Sequence, residues 1–151
     1  MPIQKGLPAP EFSLNDDEGR TRVLSEFKGT KVVLYFYPKD DTPGCTTEAC
    51  NFRDDYGAYV DAGITILGIS PDSVKSHQEF REKYKLPFSL LADEDHKVAE
   101  AFGVWGKKKF MGKEYMGVLR TTFIVDEKGR IAHVFEDVKP ADHSKEILSL
   151  L

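Results

Sequence analysis

Cys45 and Cys50 are the only cysteines in the chain. They lie in the run Tyr37-Pro38-Lys39-Asp40-Asp41-Thr42-Pro43-Gly44-Cys45-Thr46-Thr47-Glu48-Ala49-Cys50. The reactive form of cysteine is the thiolate, so the question is what favours that form here. Pro43 and Gly44 are residue types that open helices. The first turn of a helix carries unpaired backbone N–H groups and the positive end of the macrodipole. A thiol in that turn has its thiolate favoured. Cys45 therefore reads as a nucleophile, with Cys50 as a partner thiol. The plainer reading of a lone cysteine is a small buried hydrophobe. The helix start and the second thiol turn the balance toward chemistry.

The spacing of the pair carries a mechanical consequence. At ~100° per residue, Cys45 shares a buried stripe with Ala49, Phe52 and Tyr56. Cys50 lies ~140° away around the helix. With ~1.5 Å rise and ~2.3 Å radius, the two Cα atoms stand ~8.6 Å apart in an intact helix. A disulfide needs roughly 4.4–6.8 Å. Any bond between these thiols is therefore coupled to unwinding of the helix start. Thr42 offers a hydroxyl in the preceding turn, for capping the helix or for binding a small substrate. Capping is the plainer role. Pro38 ends a strand. Glu48 complements the helix dipole, or holds an arginine in place.

The elements that must position these residues are legible around them. Val32-Val33-Leu34-Tyr35-Phe36-Tyr37 is a continuous apolar run, the mark of a central strand buried on both faces. Residues 45–62 follow a helical period and stop at Gly63. Ile64-Thr65-Ile66-Leu67-Gly68-Ile69 is a second buried strand. Strand, helix, strand makes a βαβ unit, so the two strands are expected to be parallel. Upstream, residues 11–24 read as an N-terminal β-hairpin turning at Asp17-Glu18-Gly19-Arg20. Downstream, Ser73 caps a helix to about Tyr84, and residues 88–92 form a short strand. Asp95 caps a helix reaching Phe102, and residues 104–118 are a loop rich in Gly and Lys. Residues 121–125 and 131–135 form a hairpin, and residues 141–151 a closing helix. The expectation is an α/β protein of one domain, residues 1–151.

Composition bounds the function. A chain of 151 residues buries a core without disulfide staples. Hydrophobic residues are 40% and charged residues 30%, an ordinary globular profile. A net charge of −4, dispersed, argues for neither nucleic acid nor membrane partners. There is no apolar signal core and no apolar run near ~18 residues. The chain reads as cytoplasmic, where two thiols are more often catalytic or redox-active than structural.

The motif Pro38-x-x-x-Thr42-x-x-Cys45 resembles the active site of the peroxiredoxins, thiol peroxidases on a thioredoxin-like fold. The second cysteine at Cys50 is similar to the bacterioferritin-comigratory, or Q-type, subfamily. Asp93-Glu94-Asp95-His96, Phe102-Gly103-Val104-Trp105-Gly106, Phe110-Met111-Gly112-Lys113 and Arg120-x-Thr122-Phe123 resemble that subfamily in the same order. The resemblance spans essentially the whole chain. It implies a central mixed sheet flanked by helices, with the N-terminal β-hairpin. It implies that Cys45 is the peroxidatic cysteine and Cys50 the resolving one, joined by a disulfide during turnover. Thr42 is implied to hydrogen-bond the peroxide, Arg120 to stabilise the thiolate, and Pro38 to shield the pocket. On its own sequence, Arg120 is only an arginine at the start of a strand, with a surface salt bridge as its plain reading. The implied substrates are hydrogen peroxide and organic hydroperoxides, and the implied reductant is thioredoxin or a similar dithiol protein. No cofactor is implied, and a monomer is the expected state.

Two rivals stand beside this reading. A general thiol–disulfide oxidoreductase usually carries Cys-x-x-Cys, and this spacing is longer. A non-enzymatic redox switch would use the same thiols without turnover. Zinc is disfavoured because no second Cys or His pair completes a four-ligand set. Asp93-Glu94-Asp95 lacks the spacing of a calcium loop and reads as a turn and cap. Trp105 is expected to pack. Phe110 and Met111 either pack or line an apolar lip.

Overall fold

A computed structural model of the chain describes residues 2–150. The ends of the expected domain at Met1 and of the expected closing helix at Leu151 lie outside them.

Two strands organise the molecule. β3 (Lys31–Phe36) and β4 (Ile64–Ser70) pair in parallel, Lys31 opposite Ile64 through Phe36 opposite Ile69. Their apolar runs are buried on both faces, as covered central strands must be. β5 (Ser89–Ala92) extends the parallel set beside β4. β8 (Thr121–Val125) runs antiparallel to β3 and forms a hairpin with β9 (Ile131–Phe135). The N-terminal hairpin, β1 (Ser13–Asp16) and β2 (Thr21–Val23), joins the far edge through β5. The result is a seven-stranded mixed sheet in the order β2-β1-β5-β4-β3-β8-β9. A short 3-10 turn (Leu24–Phe27) follows the hairpin.

Helices cover the sheet on both faces. α1 (Pro43–Asp54) and α2 (Tyr56–Asp61) connect β3 to β4, and α3 (Val74–Tyr84) connects β4 to β5. α4 (Lys97–Ala101) follows β5, and α5 (His143–Leu148) closes the chain. One core cluster contains Cys45, Ala49 and Phe52 of α1 against Val33, Tyr35 and Tyr37. The other, across the sheet, is built on Leu34, Phe36, Phe102 and Phe123. No helix among the described residues is long and apolar enough to cross a membrane.

Four expectations are corrected. The helix expected over residues 45–62 breaks at Asp55, which is the C-cap of α1 and the N-cap of α2. Consecutive aspartates and Gly57 are weak helix formers, and Asp55 instead accepts Lys145 at 3.1 Å. The expected loop at 104–118 is a second, two-stranded sheet: β6 (Trp105–Phe110) against β7 (Lys113–Val118). Its two-residue turn is Met111-Gly112, with φ of 51° and 80°, so both central residues are left-handed. Nothing like Asn-Gly announced it, and three consecutive lysines hid the alternation. At the start of α4 Asp95 accepts from Lys97 N–H at 3.3 Å, as expected, but it does not hold the cap position. His96 occupies the cap position without a side-chain bond, while the buried Asp93 carboxylate accepts from Val98 N–H and Ala99 N–H at 3.1 and 2.9 Å. Finally, α5 begins at His143 rather than near Ala141, because Pro140 and Ala141 are engaged elsewhere.

Candidate active site

The site forms where β3 ends. Tyr37 N–H still reaches the Ile69 carbonyl at 3.1 Å, but Pro38 has no N–H to continue the ladder. The chain then turns through Asp41, whose φ is +57°. Residues 38–42 are tied down by their two aspartates. Buried Asp40 accepts from the Tyr37 hydroxyl at 2.6 Å and the Ser76 hydroxyl at 2.8 Å, and lies 2.7 Å from His77 Nδ1. Its own backbone N–H donates to Asp72 at 2.8 Å. Asp41 accepts from Lys83 and from the Tyr84 hydroxyl at 2.7 and 2.8 Å. The loop is thus fastened to α3 at two consecutive residues.

Thr42 is the N-cap residue of α1, but it does not cap with its side chain. Its hydroxyl donates to the Lys39 carbonyl at 2.8 Å. That commits the hydroxyl proton and leaves the oxygen free to accept a bond from a bound molecule. The first helical bond runs from Thr46 N–H to the Thr42 carbonyl. Gly44 and Cys45 N–H have no intrahelical partner at this end.

Cys45 sits in this first turn and is buried, with 1% of its surface exposed. Arg120, just before β8, points Nη2 at Cys45 Sγ at 3.2 Å. Its Nη1 donates to Glu48 Oε1 at 2.7 Å. Cys45 and Glu48 are three residues apart on α1 and so share a face, which lets one guanidinium span both. A Cβ on Gly44 would stand 3.3 Å from Arg120 Nη2, so the small residue keeps room for the cation. Burial opposes the charge on Arg120, but Glu48 and then Cys45 outweigh it and raise its pKa. Burial pushes Glu48 up to about 7, against the pull of Arg120. Among the described residues Glu48 Oε2 has no hydrogen-bond partner.

Cys50 is half-buried near the end of the same helix, and both cysteines are free thiols. Burial raises the Cys50 pKa, with Arg53 pulling the other way. Cys50 is therefore held as a thiol while α1 is intact. Pro38 is half-buried at the head of the loop.

The structure brings Cys45, Arg120 and Glu48 into direct contact, sets Thr42 and Pro38 on the adjoining loop, and leaves Cys50 on another part of the helix. Sequence reading missed the anchors. His77 lay apart from the motif, and only its share of one helical face with Phe80 hinted at burial. Lys108 of β6 is half-buried and donates to the Val118 carbonyl at 3.0 Å, two residues from Arg120. Burial and then Arg120 lower its pKa. Trp105 is half-buried and stacks on His96 at 3.8 Å, whereas Phe110 and Met111 are exposed. Asp40, Asp72 and His77 bring ligand-type atoms within 4.8 Å of one another. Asp40 and His77 already bond to each other, Asp40 also accepts from Tyr37 and Ser76, and Asp72 accepts from the Ser70 hydroxyl and the Asp40 N–H, which marks the cluster as an anchor for the loop.

A thiol in a helix's first turn, faced by a cation, on a sheet of this order, defines a thioredoxin-like thiol enzyme. The AhpC/TSA family model matches residues 6–134. The chain is 52% identical over 151 residues to Peroxiredoxin Bcp of Bacillus subtilis, covering 100% of this chain and 96% of that protein. It is 48% identical over 150 residues to Peroxiredoxin Bcp of Escherichia coli K12, covering 99% and 96%. It is similar in structure to the bacterioferritin comigratory protein of Xanthomonas campestris, with a TM-score of 0.91, 36% identity and coverage of 97% and 96%. The chain belongs to the AhpC/TSA family, among its Bcp, or Q-type, peroxiredoxins. It is a peroxidase enzyme of the thiol type.

Proposed function

We propose that this chain reduces hydrogen peroxide and small organic hydroperoxides at Cys45, with Cys50 as the resolving thiol and thioredoxin or a similar dithiol protein as reductant. The observation that carries the reading is the Arg120 guanidinium, shared between Cys45 Sγ and Glu48 Oε1 at 3.2 and 2.7 Å. Arginine keeps its charge at any relevant pH and offers fixed donors, so it favours the thiolate and the charge that develops on the peroxide oxygens. Thr42, with its proton committed to Lys39, accepts from the peroxide O–H and orients the O–O bond. Pro38 shields the pocket edge.

In the first step the Cys45 thiolate attacks one peroxide oxygen. An S–O bond forms, the O–O bond breaks, and the departing oxygen leaves as alcohol or water after taking a proton. Cys45 becomes a sulfenic acid. In the second step Cys50 attacks the Cys45 sulfur, the S–O bond breaks, water leaves, and a disulfide forms. The dithiol partner then supplies two electrons and becomes a disulfide itself. The alkyl peroxide reduction named for the Xanthomonas protein fits the organic substrates proposed here. We read the working form as a cytoplasmic monomer without a bound cofactor.

A coupled assay with several peroxides and thioredoxin tests the reading. Cys45→Ser is expected to abolish peroxide reduction. Cys50→Ser is expected to react once and then lose thioredoxin-supported turnover. Full turnover by Cys50→Ser would remove the resolving role. Turnover of disulfide substrates without peroxide would favour the general oxidoreductase, and oxidation without turnover would favour the redox switch.

A further inference from the structure

β4 runs parallel to β3, so it ends beside the loop that leaves β3. Ser70 is its last residue, and Asp72 follows, half-buried in the connection to α3. The Ser70 hydroxyl donates to Asp72 Oδ2 at 2.5 Å, and Asp72 N–H donates back to Ser70 Oγ at 3.3 Å. The same Oδ2 accepts the Asp40 N–H at 2.8 Å. That N–H belongs to the Lys39–Asp40 peptide, whose carbonyl accepts the Thr42 hydroxyl at 2.8 Å. A trans peptide unit is planar, and its N–H and C=O point opposite ways. Asp72 therefore holds one end of this plane, and Thr42 hangs from the other. The β3 ladder has stopped at Pro38, so no strand bond sets the plane here. The Asp40 side chain steadies it further, because its carboxylate is held by Tyr37, Ser76 and His77.

We infer that Asp72 is a positioning residue: through the Lys39–Asp40 peptide it aims the Lys39 carbonyl at Thr42, and so makes the Thr42 hydroxyl an acceptor for the peroxide. The inference rests on the reading of Thr42 as the hydrogen-bond partner of the peroxide. A hydroxyl has one proton. While the Lys39 carbonyl holds that proton, only the lone pairs of Thr42 Oγ face a bound molecule, and they accept only an O–H. In an alkyl hydroperoxide one oxygen carries the O–H, and that is the oxygen Cys45 attacks while the alkoxide side departs. An acceptor at Thr42 thus selects that oxygen and fixes the direction of the O–O bond. If the peptide plane turns, the hydroxyl loses its carbonyl and can donate its proton instead. It then meets either peroxide oxygen as a donor, and the single orientation is lost.

The test is rapid mixing of the reduced protein with hydrogen peroxide or cumene hydroperoxide, followed by acid quench and mass spectrometry of Cys45. A parallel series uses iodoacetamide, which needs a thiolate but no acceptor for an O–H. In Asp72→Ala, oxidation by either peroxide is expected to slow roughly tenfold, the rate equivalent of one misdirected hydrogen bond. Alkylation of Cys45 in the same variant should stay within about twofold of the wild type, since the groups facing the sulfur are untouched. Asp72→Asn keeps a side-chain carbonyl that accepts the Asp40 N–H, and should be oxidised within about threefold of the wild type. The deciding arm is the Thr42→Val background, which has no hydroxyl to aim. There Asp72→Ala should slow oxidation no further. Wild-type oxidation of Asp72→Ala, equal slowing toward peroxide and iodoacetamide, an Asp72→Asn as slow as Asp72→Ala, or a second loss of similar size on top of Thr42→Val would each overturn the relay. A Thr42→Val protein oxidised at the wild-type rate would instead overturn the reading of Thr42 on which the relay rests.

Discussion

Arg120 divides its guanidinium between a sulfur and a carboxylate, and the carboxylate is the unusual partner. Glu48 is buried to 1% exposure, and burial pushes it up to about 7 from its ordinary 4.5. A carboxyl raised on folding binds a proton more readily in the folded state. Its contribution to stability is therefore fully present below about 4.5 and lost as pH rises through about 7. Glu48→Gln keeps an oxygen for Arg120 and removes the titration. Denaturant unfolding at several pH values is expected to show the wild type losing stability relative to Glu48→Gln between those limits, by roughly 3 kcal/mol at most. A difference that stays flat with pH would mean that Glu48 does not titrate there. At this scale the sequence was informative about the motif, because Pro, Gly, Thr and Cys each act locally. It offered Glu48 as a holder of arginine but could not name which arginine, because Arg120 reaches the site from 72 residues away. The Asp40–His77 anchor was illegible for the same reason, at 37 residues' separation.

At the scale of elements, the sheet presses α1 into place through aromatic rings. Tyr35 of β3 lies 4.8 Å from Phe52 of α1, centroid to centroid, and its ring crosses Gly68 of β4. A Cβ on Gly68 would stand 2.8 Å from Tyr35 Cζ and 2.9 Å from Leu90 Cδ2. Gly68→Ala is thus expected to destabilise the protein by about 1–3 kcal/mol through overpacking, read as a lower denaturant midpoint. Stability equal to the wild type would show that Tyr35 can swing aside freely. The strands and α3 were legible because their apolar periods are dictated by burial. The hairpin β6–β7 was not, because its side chains are mostly exposed and its backbone ladder leaves little trace in hydropathy. α5 carries a signal that only the fold explains. His143 is buried with Nδ1 2.9 Å from Glu146 and Nε2 2.8 Å from the Thr122 hydroxyl, and burial lowers its pKa. A neutral ring that donates to Glu146 and accepts from Thr122 satisfies both ends.

For the molecule as a whole, the sheet and α1 are expected to respond differently to oxidation. Both cysteines lie in α1, and their ideal Cα separation of ~8.6 Å exceeds disulfide reach. Hydrogen exchange on the reduced and the disulfide forms should show protection lost over residues 46–51, while β3, paired on both sides, keeps it. Unchanged protection over residues 46–51 in a protein carrying the Cys45–Cys50 disulfide would contradict the unwinding. The βαβ unit, the β1–β2 hairpin and the β8–β9 hairpin could be read before the structure because each is local in sequence. The bonds from the Asn51 amide to Pro140 and Ala141 could not, since they depend on carbonyls that any residue possesses. The Arg120–Cys45 contact joins residues 75 positions apart. A ribosome delivers the sulfur 75 residues before it delivers the guanidinium that faces it. The Cys45 sulfur is therefore made without its cation, and the contact exists only after residue 120 has been synthesised.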